Sequence, residues 1–137
     1  MNTALETAQM TKILIVEDEP NMVAGLRDNF EYDGYEVITA PDGSVGLERA
    51  LKENPDLVIL DVNMPAMTGW EFCAILRRQS TTREVPILFL TGRSEVKDRI
   101  TAMQLGGSDF LAKPFGADDL RRKVRALLRE SHAMEEG

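Results

Sequence analysis

The chain has 137 residues, 43% apolar and 28% charged, with 16 Lys and Arg against 23 Asp and Glu. That length fits one domain, which can bury roughly two-thirds of its unfolded surface without disulfides or a structural metal. The average composition excludes disorder, collagen and coiled coil for the whole chain, and a net charge of −7 argues against nucleic acid or an anionic membrane as partner.

Residues 1–10, MNTALETAQM, hold Glu6, no Lys or Arg and no sustained apolar run. They read as a flexible leader rather than a signal peptide, ahead of a domain over 11–131. Ile13-Leu14-Ile15-Val16 is short and unbroken, as suits a strand buried on both faces. A helix follows, with Pro20 near its start, Val23, Leu26 and Phe30 on one side, and Gly34 past its end. Tyr35 to Ala40 mixes polar and apolar residues and predicts an edge strand. After Pro41-Asp42-Gly43, the spacing of Leu47, Ala50 and Leu51 predicts a second helix.

Leu57-Val58-Ile59-Leu60 is a second buried strand. Thr68 and Glu71 form a capping-box pattern before a helix carrying Phe72, Ile75 and Leu76. Ile87-Leu88-Phe89-Leu90 is a third buried strand, and Ser94 can cap a fourth helix with Val96, Ile100 and Met103. Phe110 to Ala112 is the opposite edge. A fifth helix carries Leu120, Val124, Leu127 and Leu128, and 132–137 read as a tail. The result is a strand–helix unit repeated five times, which argues for one parallel sheet with helices on both faces and right-handed crossovers. No stretch approaches the roughly 18 apolar residues of a membrane span. Cys73 is the only cysteine, so no internal disulfide forms and a reducing, cytoplasmic location is expected.

The strands end in polar residues. Glu17-Asp18 follow Val16, Asp61 follows Leu60, Thr91 follows Leu90, and Lys113-Pro114 follow Ala112. In open α/β sheets ligands bind at the carboxyl ends of strands, where strand order reverses. If the order is 2-1-3-4-5, strands 1 and 3 are neighbours across that point and Glu17, Asp18 and Asp61 converge there, with Thr91 and Lys113 beside them. Two like charges 4 Å apart repel by about 4 kcal/mol at an effective dielectric near 20, so a proton or a cation must relieve the cluster. Oxygen ligands without His or Cys favour a hard ion, and a few carboxylates plus water suit Mg²⁺. A carboxylate beside Mg²⁺, a Lys and a Thr hydroxyl is a phosphoryl acceptor in the making.

The motifs ILIVEDEP (13–20), VILDVNMPAMTG (58–69), FLTG (89–92) and FLAKPF (110–115), in this order, resemble the receiver domain of two-component response regulators. The resemblance covers about residues 11 to 131 and implies a three-layer, doubly wound (βα)5 flavodoxin-like fold with sheet order 2-1-3-4-5. It implies that Asp61 is phosphorylated and that Glu17, Asp18, Asp61 and the backbone carbonyl of Asn63 hold Mg²⁺. It implies that Thr91 and Phe110 switch, that Lys113 contacts the phosphoryl group, and that Lys113–Pro114 is cis. Asn63 and Arg93 match positions that tune phosphate lifetime. The departures are Glu17 for the commoner Asp and Phe110 for the commoner Tyr. The implied partner is a sensor histidine kinase or phosphotransfer protein, with the surface of the fourth helix, fifth strand and fifth helix as output.

Each residue also has a plainer reading. Glu17 and Asp18 alone could be solvated charges favoured by a helix dipole. Thr91 alone would be a turn residue, Lys113 a surface charge, and Phe110 an edge-strand core residue. Trp70 reads as a cover for the third helix and Cys73 as buried packing. His132 is no phosphodonor, and Met64 and Met67 fill the loop after Asp61. Arg121, Arg122, Lys123, Arg125 and Arg129 read as helix-end cations rather than a nucleic-acid face. Arg99, Asp109, Asp119, Lys123 and Arg125 also resemble part of a homodimer interface, although Gln104 and Ser108 stand where acids are usual.

Two other functions compete with the phospho-acceptor switch. A phosphatase of the haloacid-dehalogenase type also uses a strand-end Asp and Mg²⁺, but it wants a second Asp where Asn63 stands. A nucleotide- or flavin-binding module wants a Gly-rich loop after the first strand, and Glu17-Asp18-Glu19-Pro20 is acidic instead. The expectation is therefore a phospho-acceptor rather than an enzyme with turnover.

Overall fold

A computed structural model describes residues 10–136, apart from Pro65, 93–99, 102 and 105 and the side chains of 132–136. Five strands, β1 (Lys12–Val16), β2 (Glu36–Ala40), β3 (Leu57–Asp61), β4 (Ile87–Thr91) and β5 (Asp109–Ala112), form one sheet in the order β2-β1-β3-β4-β5. All four pairings are parallel. The order is the expected one, and it reverses direction between β1 and β3.

Burial explains the composition of the strands. Every residue of β3 and β4 is buried, whereas the edges β2 and β5 keep exposed or half-exposed positions. Side chains of β1 alternate between two cores. Leu14 and Val16 join Phe72, Cys73 and Leu76 on one face, while Ile13 and Ile15 join Leu26, Phe30, Leu120 and Val124 on the other. The sheet is thus the middle of three layers.

The helices are α1 (Pro20–Tyr32), α2 (Gly43–Glu53), α3 (Gly69–Arg78) and a C-terminal helix (Ala117–Glu136). Pro20 fills the first turn of α1, where its missing N–H is not needed. Asp42 caps α2 by accepting from the Val45 N–H at 2.9 Å. The capping box of α3 forms as read, with Thr68 N–H on Glu71 Oε1 at 3.1 Å and Glu71 N–H on Thr68 Oγ1 at 3.2 Å. Leu120, Val124, Leu127 and Leu128 are buried, as their spacing predicts. The C-terminal helix continues to Glu136, through residues read from sequence as a tail.

Two expectations about apolar faces change. Leu51 is 43% exposed: Ala50 is buried as its spacing predicts, but the rest of the buried face of α2 is Gly43 and Gly46. A Cβ at Gly46 would lie 3.0 Å from Val16 Cγ2 and 2.9 Å from Phe72 Cε2, so the small residue is what lets the helix sit close. Ile100 and Met103, expected on the apolar side of the fourth helix, are 50% and 52% exposed. Arg93, Ser94, Val96, Arg99 and nearly all of the leader lie outside the described residues. Among the described residues no helix is long and apolar enough to cross a membrane.

Candidate metal and phosphoryl site

The reversal between β1 and β3 gathers the acids. Glu17 follows the last residue of β1, and Asp61 is the last residue of β3. Carboxylate oxygens of Glu17, Asp18 and Asp61 all lie within 4.8 Å of one another. Glu17 and Asp61 are buried, at 2% and 6% exposure, and Asp18 is exposed. The cluster therefore has two inner carboxylates and one at its mouth.

Lys113, just past β5, bridges the inner pair. Its Nζ donates to Glu17 Oε1 at 3.1 Å and to Asp61 Oδ2 at 3.4 Å. Its backbone N–H donates to the Thr91 carbonyl at 2.6 Å, so the ends of β4 and β5 are tied at the site. The Lys113–Pro114 bond is cis, as the resemblance implies. Thr91 ends β4 and is 2% exposed, paired in register with Ala112. Asn63 is exposed, and its N–H donates to Asp61 Oδ1 at 3.0 Å.

The donor set fits Mg²⁺. Three carboxylates without a His or Cys among them make a hard oxygen site, with too few protein ligands for a full Ca²⁺ cage. With Lys113 the four charged groups sum to −2, which one divalent cation balances.

The sequence matches the response regulator receiver domain over residues 13–125. The chain is a receiver domain. It is 43% identical over 120 residues to the alkaline phosphatase synthesis transcriptional regulatory protein PhoP of Bacillus subtilis, covering 88% of this chain and 49% of that protein. The receiver domain spans about half the length of the curated relatives it matches. Among solved structures, chemotaxis protein CheY4 of Vibrio cholerae superposes with a TM-score of 0.83 at 36% identity, covering 86% of this chain and 98% of that one. The receiver domain of a sensor histidine kinase from Pseudomonas aeruginosa superposes with a TM-score of 0.80 at 30% identity, covering 87% of this chain and 98% of that one. That structure has a magnesium ion coordinated in its active-site cleft. Membership in this family sets the chain apart from classical enzymes, the phosphatase alternative included.

The electrostatics of the receiver site follow from burial. Burial raises the pKa of Glu17, and the nearby Asp61 charge adds to the rise, against hydrogen bonds from the Glu19 backbone and Lys113. For Lys113 burial pulls the pKa down, but the hydrogen bond to Glu17 and the two carboxylate charges outweigh it, so the net shift is upward. Both effects describe one buried acid–base pair with a second acid beside it.

Several features of the site carry no motif. Glu17 Oε2 accepts the N–H groups of Asp18 and Glu19, at 3.1 and 3.2 Å, so the loop wraps around its own carboxylate. Glu19 belongs to α1 instead: it caps the helix, accepting from Asn21 and Met22 at 3.2 and 2.7 Å. An acid directly before a proline at a helix start was the available signal. Trp70, in the first turn of α3, packs its ring 4.8 Å from that of Phe89 in β4. Phe110 lies in the core cluster with Phe89 and Cys73, 6% exposed.

Proposed function

We propose that Asp61 accepts a phosphoryl group from a partner phosphohistidine, with Mg²⁺ held by Glu17, Asp18, Asp61 and the Asn63 carbonyl. The observation that carries this reading is the convergence of three carboxylates within 4.8 Å at adjacent strand ends, with one Lys bridging the buried two. An Asp61 oxygen attacks phosphorus and forms the new O–P bond. The N–P bond breaks, and its electron pair stays on the histidine nitrogen. Magnesium, when bound, supplies positive charge against the phosphoryl oxygens. Lys113, already 3.4 Å from Asp61, is in reach to donate to one of them.

Thr91 then donates its hydroxyl to another phosphoryl oxygen, and Phe110 moves with it. The outcome is a population shift at the surface of the fourth predicted helix, β5 and the C-terminal helix. The partner upstream is a sensor histidine kinase or phosphotransfer protein. The setting is the cytoplasm, a reading supported by the lone buried cysteine. The test is Mg²⁺ with acetyl phosphate, followed by intact mass. The wild type should gain one labile phosphoryl group and Asp61→Asn none; a gain that survives Asp61→Asn overturns the assignment.

Self-association through the same surface is a second reading, favoured by the exposure of Ile100 and Met103 at 50% and 52%. Lys123 pairs with Asp109 at 3.1 Å, and Arg122 pairs with Asp119, all within one chain. A dimer using these charges must exchange such pairs for crossed ones. Sizing with and without beryllofluoride distinguishes a dimer on activation from a monomer throughout.

A further inference from the structure

We infer that Gly69 is a positioning residue for Asp61: the bare Cα at the start of α3 lets that helix close against the Asp61–Val62 backbone, and this contact fixes where the Asp61 carboxylate stands. The inference rests on the reading of Asp61 as phosphoryl acceptor and deepens it. A Cβ built at Gly69 would lie 2.8 Å from the Asp61 carbonyl oxygen and 2.9 Å from Val62 Cα. Both are backbone atoms, so no rotamer change makes room. At Gly43, by contrast, the nearest atom is the Met67 sulfur, at the end of a flexible side chain.

The surroundings decide which side would yield. Gly69 N–H donates to the Val62 carbonyl at 2.9 Å, closing the loop after Asp61 at its base. Val62 N–H donates to the Leu90 carbonyl at 3.0 Å, Asn63 N–H to Asp61 Oδ1 at 3.0 Å and Lys113 Nζ to Asp61 Oδ2 at 3.4 Å, so the strand end is held by a few hydrogen bonds and the burial of the small Val62 side chain. The helix is held by more. Phe72, Cys73 and Leu76 are all fully buried, and moving α3 outward would open a cavity beneath them. The displacement therefore falls on Asp61 and Val62. Asp61 has little latitude, since its oxygens must stay within reach of Glu17, Asp18 and Lys113.

The test uses the full chain with Gly69→Ala and two controls. Thr68→Ala removes the adjacent helix cap without adding an atom near Asp61. Val124→Ala destabilises the opposite core layer. Three quantities are read below the unfolding transition of every variant: metal-free amide shifts of Asp61 and Asn63, Mg²⁺ affinity by titration of those shifts, and the phosphorylation rate with acetyl phosphate. Gly69→Ala should shift both amides before metal is added and weaken Mg²⁺ by about tenfold. It should slow phosphorylation about tenfold to a hundredfold, as misplacement of a reacting group does. Both controls should match the wild type in all three.

If Gly69→Ala loses stability alone, with shifts, affinity and rate at wild-type values, the residue is merely structural and the inference fails. A Gly69→Ala chain that does not fold in buffer is measured in trimethylamine N-oxide, which favours the compact state, beside controls in the same solvent. If the wild type takes no phosphoryl group, the reading of Asp61 fails, and the metal-free shifts and Mg²⁺ titration still decide the role of Gly69.

Discussion

Glu17 and Lys113 are separated by 96 positions in the chain, yet their charged ends lie 3.1 Å apart. The Glu17 side chain is 1% exposed and that of Lys113 24%, so the carboxylate depends on the ammonium more than the reverse. Lys113→Met leaves a buried acid without its counter-ion. The expected loss is about 2 kcal/mol near pH 7, less than the ~3–5 of a fully buried pair because water reaches Lys113.

That loss should depend on pH with a definite sign. The folded pKa of Glu17 lies above its ordinary 4.5. Between the unfolded and folded values the native state binds more protons, so this group's contribution falls as pH rises through the window. Removing Lys113 widens the window upward, and acidification to about pH 5 should restore part of the deficit. The wild type has a second window. Lys113 has a folded pKa above its ordinary 10.5, so its contribution is present below that pH and lost as pH rises through the folded value. Urea unfolding across pH checks both, and an equal deficit for Lys113→Met at pH 5 and 7 contradicts the pairing.

Asp18 plays a different part from Glu17. It is exposed at the mouth of the cluster, whereas Glu17 is buried. Asp18→Ala should abolish Mg²⁺ binding while leaving the melting temperature unchanged or slightly raised, since it relieves like-charge repulsion. Calorimetric Mg²⁺ titration beside thermal unfolding measures both. Unaltered Mg²⁺ affinity would remove Asp18 from the ligand set.

Cys73 should be inert in the native protein. It is fully buried, and burial raises the pKa of its thiol against a smaller opposing effect of Arg77. Thiolate is the reactive form, so alkylation requires opening of the core. Reaction with iodoacetamide should be slow in buffer and reach completion in denaturant. Rapid labelling of the folded chain would show a core looser than its packing indicates.

How much could be read from the sequence depended on whether a signal is carried by side-chain chemistry. The unbroken runs of β1, β3 and β4, and the acids that follow the first two, are side-chain patterns; they made the strands and the acidic cluster legible, while the strand order came from the family resemblance. Leu51 was misplaced because the buried face of α2 is completed by Gly43 and Gly46 beside Ala50, and glycines carry almost no weight in a hydrophobic period. Gly69 sat inside a quoted motif, but its role is an approach between two backbones that only coordinates reveal. The loop N–H groups folded around Glu17 are likewise main-chain contacts, with no residue type to announce them.

Arg77 is the largest feature that no pattern pointed to, and it supports a final prediction. Its guanidinium donates to Gly106 O twice, at 2.9 and 2.6 Å, and to the carbonyls of Thr82, Arg83 and Val85 at 3.3, 3.1 and 2.6 Å. One cation thus gathers the turn before β4 and the approach to β5 onto the end of α3. Burial lowers its pKa, yet an arginine stays charged across the working range. Arg77→Ala strands several carbonyls at once and should destabilise by about 2–3 kcal/mol, on the scale of bonds to a charged donor. Arg77→Lys should recover little of this, because a single ammonium lacks the planar fork that reaches Gly106 on one side and Val85 on the other. Phosphorylation at Asp61 should proceed normally in both variants below their melting temperatures, since the clamp lies at the end of α3 opposite Gly69. Full rescue of stability by Lys would mean that charge, not geometry, holds these two segments.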